Sequence, residues 1–325
     1  MNILILSAGT RNKIVQYFRR ELHGNGKVIA TDCSELAPAI YEADEHYIVP
    51  RIDVPDYIAT IIEICRKEKI KGVLSLIDPE LSIISAHKRE FEEIGTTIIG
   101  SDYEKCELSM DKYEMYCWLK SHGYKTAITF KDKKEALEAI RQKKMEYPVF
   151  IKPIRGSASI DIVKADNEKT IDFLWENSED IMMQEYLEGQ EIGVDVYVDM
   201  ISHQVVSIFA KKKLRMRSGE TDKSVSFKDD ELFNLVKRFV KEAGFLGQID
   251  IDLFKKNGEY FISEVNPRFG GGYPHAYECG VNSMKMIINN LAGKENPLTI
   301  GEYEDGVYML KYSEICILRK NGDDQ

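Results

Sequence analysis

The sequence offers little with which to staple a fold covalently or through a metal. Its six cysteines (Cys33, Cys65, Cys106, Cys117, Cys279 and Cys316) include no pair at CxxC spacing, and a chain this large does not depend on a disulfide framework. The six histidines form no HxH or HExxH cluster, so no zinc site is expected. No apolar run approaches the roughly 20 residues of a membrane helix. The opening segment Met1–Ser7 lacks a basic stretch and a cleavage site, and reads as a buried strand rather than a signal peptide. A surplus of basic residues is missing too. Lys and Arg number 44 against 54 Asp and Glu, a net charge of −10, which argues against nucleic acid and anionic membrane as main partners. The phosphate-binding spacings GxGxxG and GxxxxGK[ST] are both absent. These absences leave a globular protein of a reducing cytoplasm, and 325 residues call for two or three packed units.

What is present begins as alternating strand and helix. Ile3–Leu6 and Val28–Ala30 are short continuous apolar runs, as in strands buried on both faces. Asn12–Leu22 and Ile58–Lys67 carry helical periodicity, and Val73–Ile77 and Thr97–Ile99 read as further strands. That order predicts a parallel sheet covered by helices. A boundary is expected near Gly100–Glu104, before a helix over Asp111–Lys120 capped by Ser109 or Asp111. Beyond it the pattern turns antiparallel. Strands are expected over Tyr147–Pro153, Ile181–Leu187, Glu191–Val198 and Val205–Lys211, and a helix over Glu231–Ala243. Ile249–Phe254 and Tyr260–Val265 are strands joined at the turn Asn257-Gly258.

The hairpin carries the chemistry. Side chains alternate faces along a strand, so Asp250 and Asp252 share one face, and Glu264 and Asn266 share one. Two to four oxygen ligands then converge, a set that suits magnesium, which takes hard oxygens and completes its shell from phosphates and water. Arg268 lies just beyond, placed to hold a transferring phosphate. The plainer alternative is a solvated polar face, but Pro267 and the run Gly270-Gly271-Gly272 fix an irregular backbone directly after these residues. Upstream, Lys112 opens a helix and Lys152 ends a strand before the small-residue loop Arg155–Ser159. Backbone N–H groups in such a loop can cover a triphosphate, although an ordinary surface loop has the same pattern. Gln184–Glu191 has the look of a nucleotide hinge, with a strand edge for adenine and a carboxylate for ribose, or else of a strand and its turn.

Lys112, Lys152 with its loop, the Gln184–Glu191 hinge, Asp252, and then Glu264-Val265-Asn266-Pro267-Arg268 with three glycines resemble, in this order, the ATP-grasp superfamily. The nearest subgroup is the carbamoyl-phosphate-synthase-large-subunit-like ligases. The resemblance implies an α/β and α+β protein: a Rossmann-like pre-ATP-grasp domain over 1–104, then a two-subdomain ATP-grasp fold divided into 105–183 and 184–325. It implies ATP as the nucleotide and Mg2+, or Mn2+, as the ion. Lys112, Lys152 and Ser157 would meet the phosphates. Gln184, Glu185, Tyr186 and Leu187 would hold adenine, the last through its backbone, and Glu191 the ribose. Glu264, Asn266 and Asp252, or in its place Asp250, would hold the metal, the first ligand having no fixed distance from the preceding glycine. Arg268 would stabilise the γ-phosphate in flight.

The implied activity is an ATP-dependent carboxylate–amine ligase that forms a C–N bond through an acyl phosphate. A carbamoyl phosphate synthase large subunit has two synthetase halves and this chain the length of one. A stand-alone ligase acting on an amino acid or a modified sugar, with a homodimer as its assembly, is therefore expected. The alternative is a silent nucleotide-binding regulatory subunit, against which stand the retained Glu264, Asn266 and Arg268. The one dense basic run, Lys211–Arg217, is either a solvated loop or a segment reaching over the site. We expect Arg215 and Arg217 to face the ligands, and at least one of the lysines to be solvated. Ser7–Arg11 opens a helix at an anion-friendly position. Asp32 suits a ribose or a helix cap, Asp78 and Glu80 an amine substrate or a cap, and His275 the substrate's neighbourhood or loop packing.

Overall fold

The computed structural model describes residues 1–156 and 162–319. Its first unit is the parallel sheet expected from the opening runs. Strands β1 (Asn2–Leu6), β2 (Val28–Asp32), β3 (Glu45–Ile48), β4 (Ile70–Ser75) and β5 (Thr97–Ile98) lie in the order β3-β2-β1-β4-β5. Ile3–Leu6 are fully buried because helices cover both faces. Helix α1 (Asn12–Leu22) buries Ile14, Val15, Tyr17, Phe18 and Leu22, one stripe at three- and four-residue spacing. Helices α2 (Tyr57–Lys67), α3 (Asp78–Ala86) and α4 (Lys88–Glu93) complete the unit. From β1 the chain winds outward to β2 and β3, then returns to β4 on the other side. The switch point is therefore between β1 and β4, where such sheets open a crevice beyond the strand ends.

Helices α5 (Tyr103–Met110) and α6 (Lys112–Ser121) lead onward, α6 capped by the Asp111 carboxylate, which accepts from the N–H groups of Tyr113 and Glu114. A four-stranded sheet follows, built from β6 (Thr129–Phe130), β7 (Val149–Pro153), β8 (Val163–Ala165) and β9 (Ile181–Glu185) in the order β6-β9-β7-β8. Helices α7 (Lys133–Arg141) and α8 (Glu168–Asn177) pack against it. The boundary expected between residues 183 and 184 falls inside β9.

The last sheet is the platform of the molecule. Strands β10 (Gln190–Val198), β11 (Val205–Arg217), β12 (Glu220–Phe227), β13 (Gly247–Lys256), β14 (Glu259–Asn266) and β15 (Tyr308–Leu310) run β14-β13-β10-β11-β12-β15. Helix α9 (Asp230–Ala243) is capped by the Asp229 carboxylate and ended by left-handed Gly244. Ile192, Val194, Val196, Ile249, Ile251 and Leu253 lie in the same hydrophobic core as α9 residues Leu232, Val236 and Phe239. Strand alternation sends Glu191, Asp195, Asp250 and Asp252 to the opposite face. Helices α10 (Tyr273–Glu278) and α11 (Ser283–Leu291) bring the chain back to the first unit. There Tyr17 stacks on Tyr277 at 3.7 Å and donates to Glu278 at 2.8 Å. Ser101 likewise bonds the backbone of Leu246 in both directions.

Among the described residues no helix is long and apolar enough to cross a membrane, and the six cysteines are unpaired.

At the far end of β10, buried Asp199 ties α11 to the sheet. It accepts from Asn290 Nδ2 at 2.8 Å, from the Asn296 backbone at 2.9 Å and from the Ser202 N–H at 2.8 Å. Burial works against its charge, but these donors prevail and hold its pKa down at about 2. Asp199→Ala should lower the unfolding free energy by about 3 kcal/mol, because several buried donors lose their acceptor. A depressed carboxylate stabilises fully above its unfolded pKa of about 4 and loses that contribution as pH falls toward the folded value. Denaturant titrations of both proteins should therefore show a constant difference above about pH 4 that narrows below it.

Candidate active site: an ionic lattice on the sheet face

Register decides which of the predicted residues meet. Asp250 pairs with Asn266 and Asp252 with Glu264 across β13 and β14. All four therefore stand on the face away from α9. The Asn257-Gly258 turn has both residues at positive φ, the backbone of a two-residue hairpin turn, and a register shift between Asp252 and Leu253 then passes over Ser263 to bring Glu264 and Asn266 opposite the two aspartates. The face borders a cavity of about 370 Å³, and Lys152, Gln184, Glu185, Leu187, Glu191 and Arg268 line it together with the four hairpin residues.

The remaining predicted residues are distributed around this cavity. Lys112 opens on a small adjoining cleft beside Gln184 and Glu264, and its ammonium donates to the Gly156 carbonyl. Tyr186 packs edge-on against Phe150 at 5.2 Å and does not line the cavity. Ser157 lies outside the described residues. Arg215 is exposed and 3.7 Å from Asp222. Arg217 lines a second, larger cavity instead. Strand alternation alone would send both arginines inward with Lys211 and Lys213. Register shifts on either side of Arg215 break the alternation there.

The basic run holds two residues that sequence reasoning left without a role. Lys211 and Lys213 point inward and are buried, whereas Lys212 between them is exposed. Lys213 Nζ lies 2.9 Å from Glu191 and 2.7 Å from Asp252, and Lys211 pairs with Asp195. Burial works against the Lys213 ammonium, but Asp252, Glu191 and Asp250 outweigh it and raise its pKa. Gly193, between the two lysines on β10, leaves the room: a Cβ there would sit 3.0 Å from Lys211 Cε and 3.2 Å from Lys213 Cε. The signal was the period of two in Lys211-Lys212-Lys213, set against the matching period in Glu191-Ile192-Gly193-Val194-Asp195.

Two further cations face the carboxylates. Lys152 donates to Gln184 Oε1 at 2.7 Å. Its enclosure lowers its pKa to about 8, with Glu264 opposing that shift and Lys112 adding to it. Arg268 comes from the glycine loop but is gripped by the first unit, with Nε and Nη2 at 3.0 and 2.9 Å from Asp78 Oδ2. Asp78 and Glu80 cap nothing with their side chains. Glu80 is buried and accepts from Ser7, Ser75 and Tyr57, which binds the ends of β1 and β4 together. Asp32 accepts from the Gly9 N–H at 2.9 Å and braces the β1–α1 loop. His275 bonds Ser224 and the Val307 carbonyl, and burial lowers its pKa to about 4, so it is neutral at physiological pH.

Burial first, and then Asp252, raise the pKa values of both Asp250 and Glu264. Carboxylates pressed together in this way are what a dication relieves. Among the described residues no three His, Cys, Asp or Glu side chains converge closely enough to hold an ion alone. The set therefore fits an ion that brings phosphate oxygens with it, as magnesium does, and does not fit a closed protein cage. The glycine loop fits the same design. A Cβ on Gly270 would meet the Asp250 carboxylate at 2.4 Å, and one on Gly271 would meet that of Glu220 at 2.6 Å.

Lys213→Met should lower the unfolding free energy by about 3 kcal/mol, because removing one partner strands buried charges. The exposed Lys212→Met should change it by less than about 0.5 kcal/mol. Urea unfolding of the two variants checks both values.

Comparison with known proteins follows the same division of the chain. An ATP-grasp domain model matches residues 109–272, and a PylC-like N-terminal domain model matches residues 3–99. The chain is 26% identical over 343 residues to a carbamoyl-phosphate synthase of Methanobrevibacter smithii, covering 100% of this chain and 89% of that protein. It is 24% identical to the carbamoyl phosphate synthase large chain of Thermotoga neapolitana, where 87% of this chain matches 26% of the relative, about a quarter of its length. Among solved structures, the biotin carboxylase domain of Hydrogenobacter thermophilus 2-oxoglutarate carboxylase, with MgADP, ADP and bicarbonate, superposes with a TM-score of 0.77. That match covers 94% of this chain and 73% of the other at 20% identity, a likeness of fold. With half its length matched by the domain model, the chain belongs to the ATP-grasp family.

Proposed function

We propose that this ATP-dependent ligase uses magnesium–ATP to activate a carboxylate as an acyl phosphate and joins it to an amine. The observation that carries the reading is the meeting of Asp252, Glu264 and Asn266 with Lys152 and Arg268 around one cavity. Phosphoryl transfer needs positioning and charge neutralisation more than a protein nucleophile, and such a face supplies both.

We assign Asp252, Glu264 and Asn266 as metal ligands, with Asp250 beside them. Lys112 and Lys152 meet the nucleotide phosphates, together with Ser157. Gln184, Glu185 and Leu187 form the adenine side, with Tyr186 bracing it from behind through Phe150, and Glu191 the ribose side. Arg268 balances charge on the phosphoryl group in transit. Bound magnesium–ATP supplies an electrophilic γ-phosphorus with its charge partly neutralised. A carboxylate oxygen bonds to that phosphorus as the bond to the β–γ bridging oxygen breaks, and ADP leaves. The amine then attacks the acyl carbon, phosphate departs, and the amine proton passes to solvent. Arg215 and Arg217 reach this chemistry only by movement of the outer end of β11. Manganese is an alternative ion, small-molecule substrates are the partners, and a homodimer is the proposed assembly.

Glu264→Ala should cut ADP release by about two to three orders of magnitude, the effect of losing an electrostatic group in the reacting site, while circular dichroism and melting temperature stay near those of the parent. Unchanged ADP release from a folded variant would contradict the assignment.

A further inference from the structure

Beyond the nucleotide cavity lies a larger one, of about 850 Å³. It runs between the start of α1, the glycine loop with α10, and the strand and tail from Val307 to Cys316. The two cavities share a wall made of Arg11, Ser218, Glu220, Thr221 and Gly271. Arg11 is the hinge of that wall. Its Nη2 is 3.0 Å from Glu220, but its Nη1 is buried with no hydrogen-bond partner. Burial works against the Arg11 charge, Glu220 supports it, and nearby Arg268 opposes it. A guanidinium left with a free donor beside a second guanidinium is a place that a ligand carboxylate would satisfy.

Charge on the rest of the wall narrows the ligand further. Glu220 is already matched by Arg11 and by Lys311 at 2.9 Å. Lys13 and Arg217 remain, against Glu42, Asp222, Glu278 and Glu314, and of these Asp222 already lies 3.7 Å from both Arg215 and Lys223. Glu278 is held in place by the Tyr17 hydroxyl at 2.8 Å. Phosphorylated sugars are recognised by a surplus of cations, and this wall has none. It carries both signs, with Glu42 beside the start of α1, Glu278 on α10, and the unsatisfied guanidinium at the wall shared with the nucleotide cavity.

We propose that the larger cavity binds a zwitterionic substrate, an amino acid or short peptide. Its carboxylate lies against Arg11 at the shared wall, and its ammonium lies toward Glu278 and Glu42. The volume is that of a drug-sized ligand site, so peptides and amino acids with long side chains fit better than small ones. The proposal rests on the ligase reading above, because it names the class of carboxylate that the nucleotide cavity activates.

The test uses the full chain with magnesium–ATP and an ADP-release assay. Substrates are pooled amino acids and dipeptides, their N-acetylated and C-amidated counterparts, and ribose 5-phosphate. Titration calorimetry with MgADP runs in parallel. ADP release should require both the free ammonium and the free carboxylate. Arg11→Gln and Glu278→Gln should each raise KM for the active zwitterion about tenfold or more, the scale of one charged hydrogen bond, and Glu278→Gln, which lies off the nucleotide cavity, should leave MgADP affinity unchanged. The proposal is overturned if ribose 5-phosphate or the N-acetylated acids turn over as well as the zwitterions. It is also overturned if a chain that binds MgADP responds to no pool, or if Arg11→Gln leaves KM unchanged. Absence of MgADP binding would instead remove the ligase reading, and this inference with it.

Discussion

The Lys213 ammonium, wedged between Glu191 and Asp252, shows the constraint on which the active face depends: the inward charges of β10 and β11 are held in pairs of opposite sign. Lys211 answers Asp195, and Arg268 answers Asp78 with Asp250 at 4.0 Å. An uncompensated charge in such a place costs several kcal/mol, so the strands must hold their register and the side chains their spacing. Gly193, Gly270 and Gly271 are glycine because a Cβ at each would press into this lattice. The first unit belongs to the same balance. Its Asp78, at the open end of β4, closes the ion pair of Arg268, so the switch-point crevice and the six-stranded sheet form one site.

Much of this was legible in the residues because strand periodicity is strict. Parity placed Asp250 with Asp252 and Glu264 with Asn266, but the two-residue turn alone would set Asp252 opposite Ser263 and the two pairs on different faces; a register shift between Asp252 and Leu253 brings all four together. The helix over Asn12–Leu22 was equally plain from its apolar stripe. Parity failed along β11. The charges of Lys211–Arg217 look uniform in sequence, yet Lys211 and Lys213 are buried, Lys212 is exposed, and the register shifts beside Arg215 take the arginines off the face. A bulge of this kind depends on the neighbouring strand and leaves no local mark. The Arg268–Asp78 pair joins residues 190 positions apart, and no local pattern carries it. The anion-friendly start of α1 was visible, but the unsatisfied Arg11 nitrogen appears only when the walls of both cavities are assembled.

The lattice also bears on how the proposed reaction would begin. Asp252 is held by a lysine in this structure, so taking a dication onto Asp252 exchanges one positive charge for another. The released ammonium would remain beside Glu191 and within the cavity, near the phosphates that arrive with the ion. A face already organised around opposite charges needs little rearrangement of its strands to accept them, which is the benefit of preorganisation for charge-stabilising sites.

The most direct test of the central claim is a crystal structure with manganese and a non-hydrolysable ATP analogue. An anomalous peak bounded by Asp252, Glu264 and Asn266 is expected, with triphosphate oxygens on the same ion and the Lys213 ammonium moved off Asp252. Manganese or nucleotide bound elsewhere, with the Lys213–Asp252 pair intact, would contradict it.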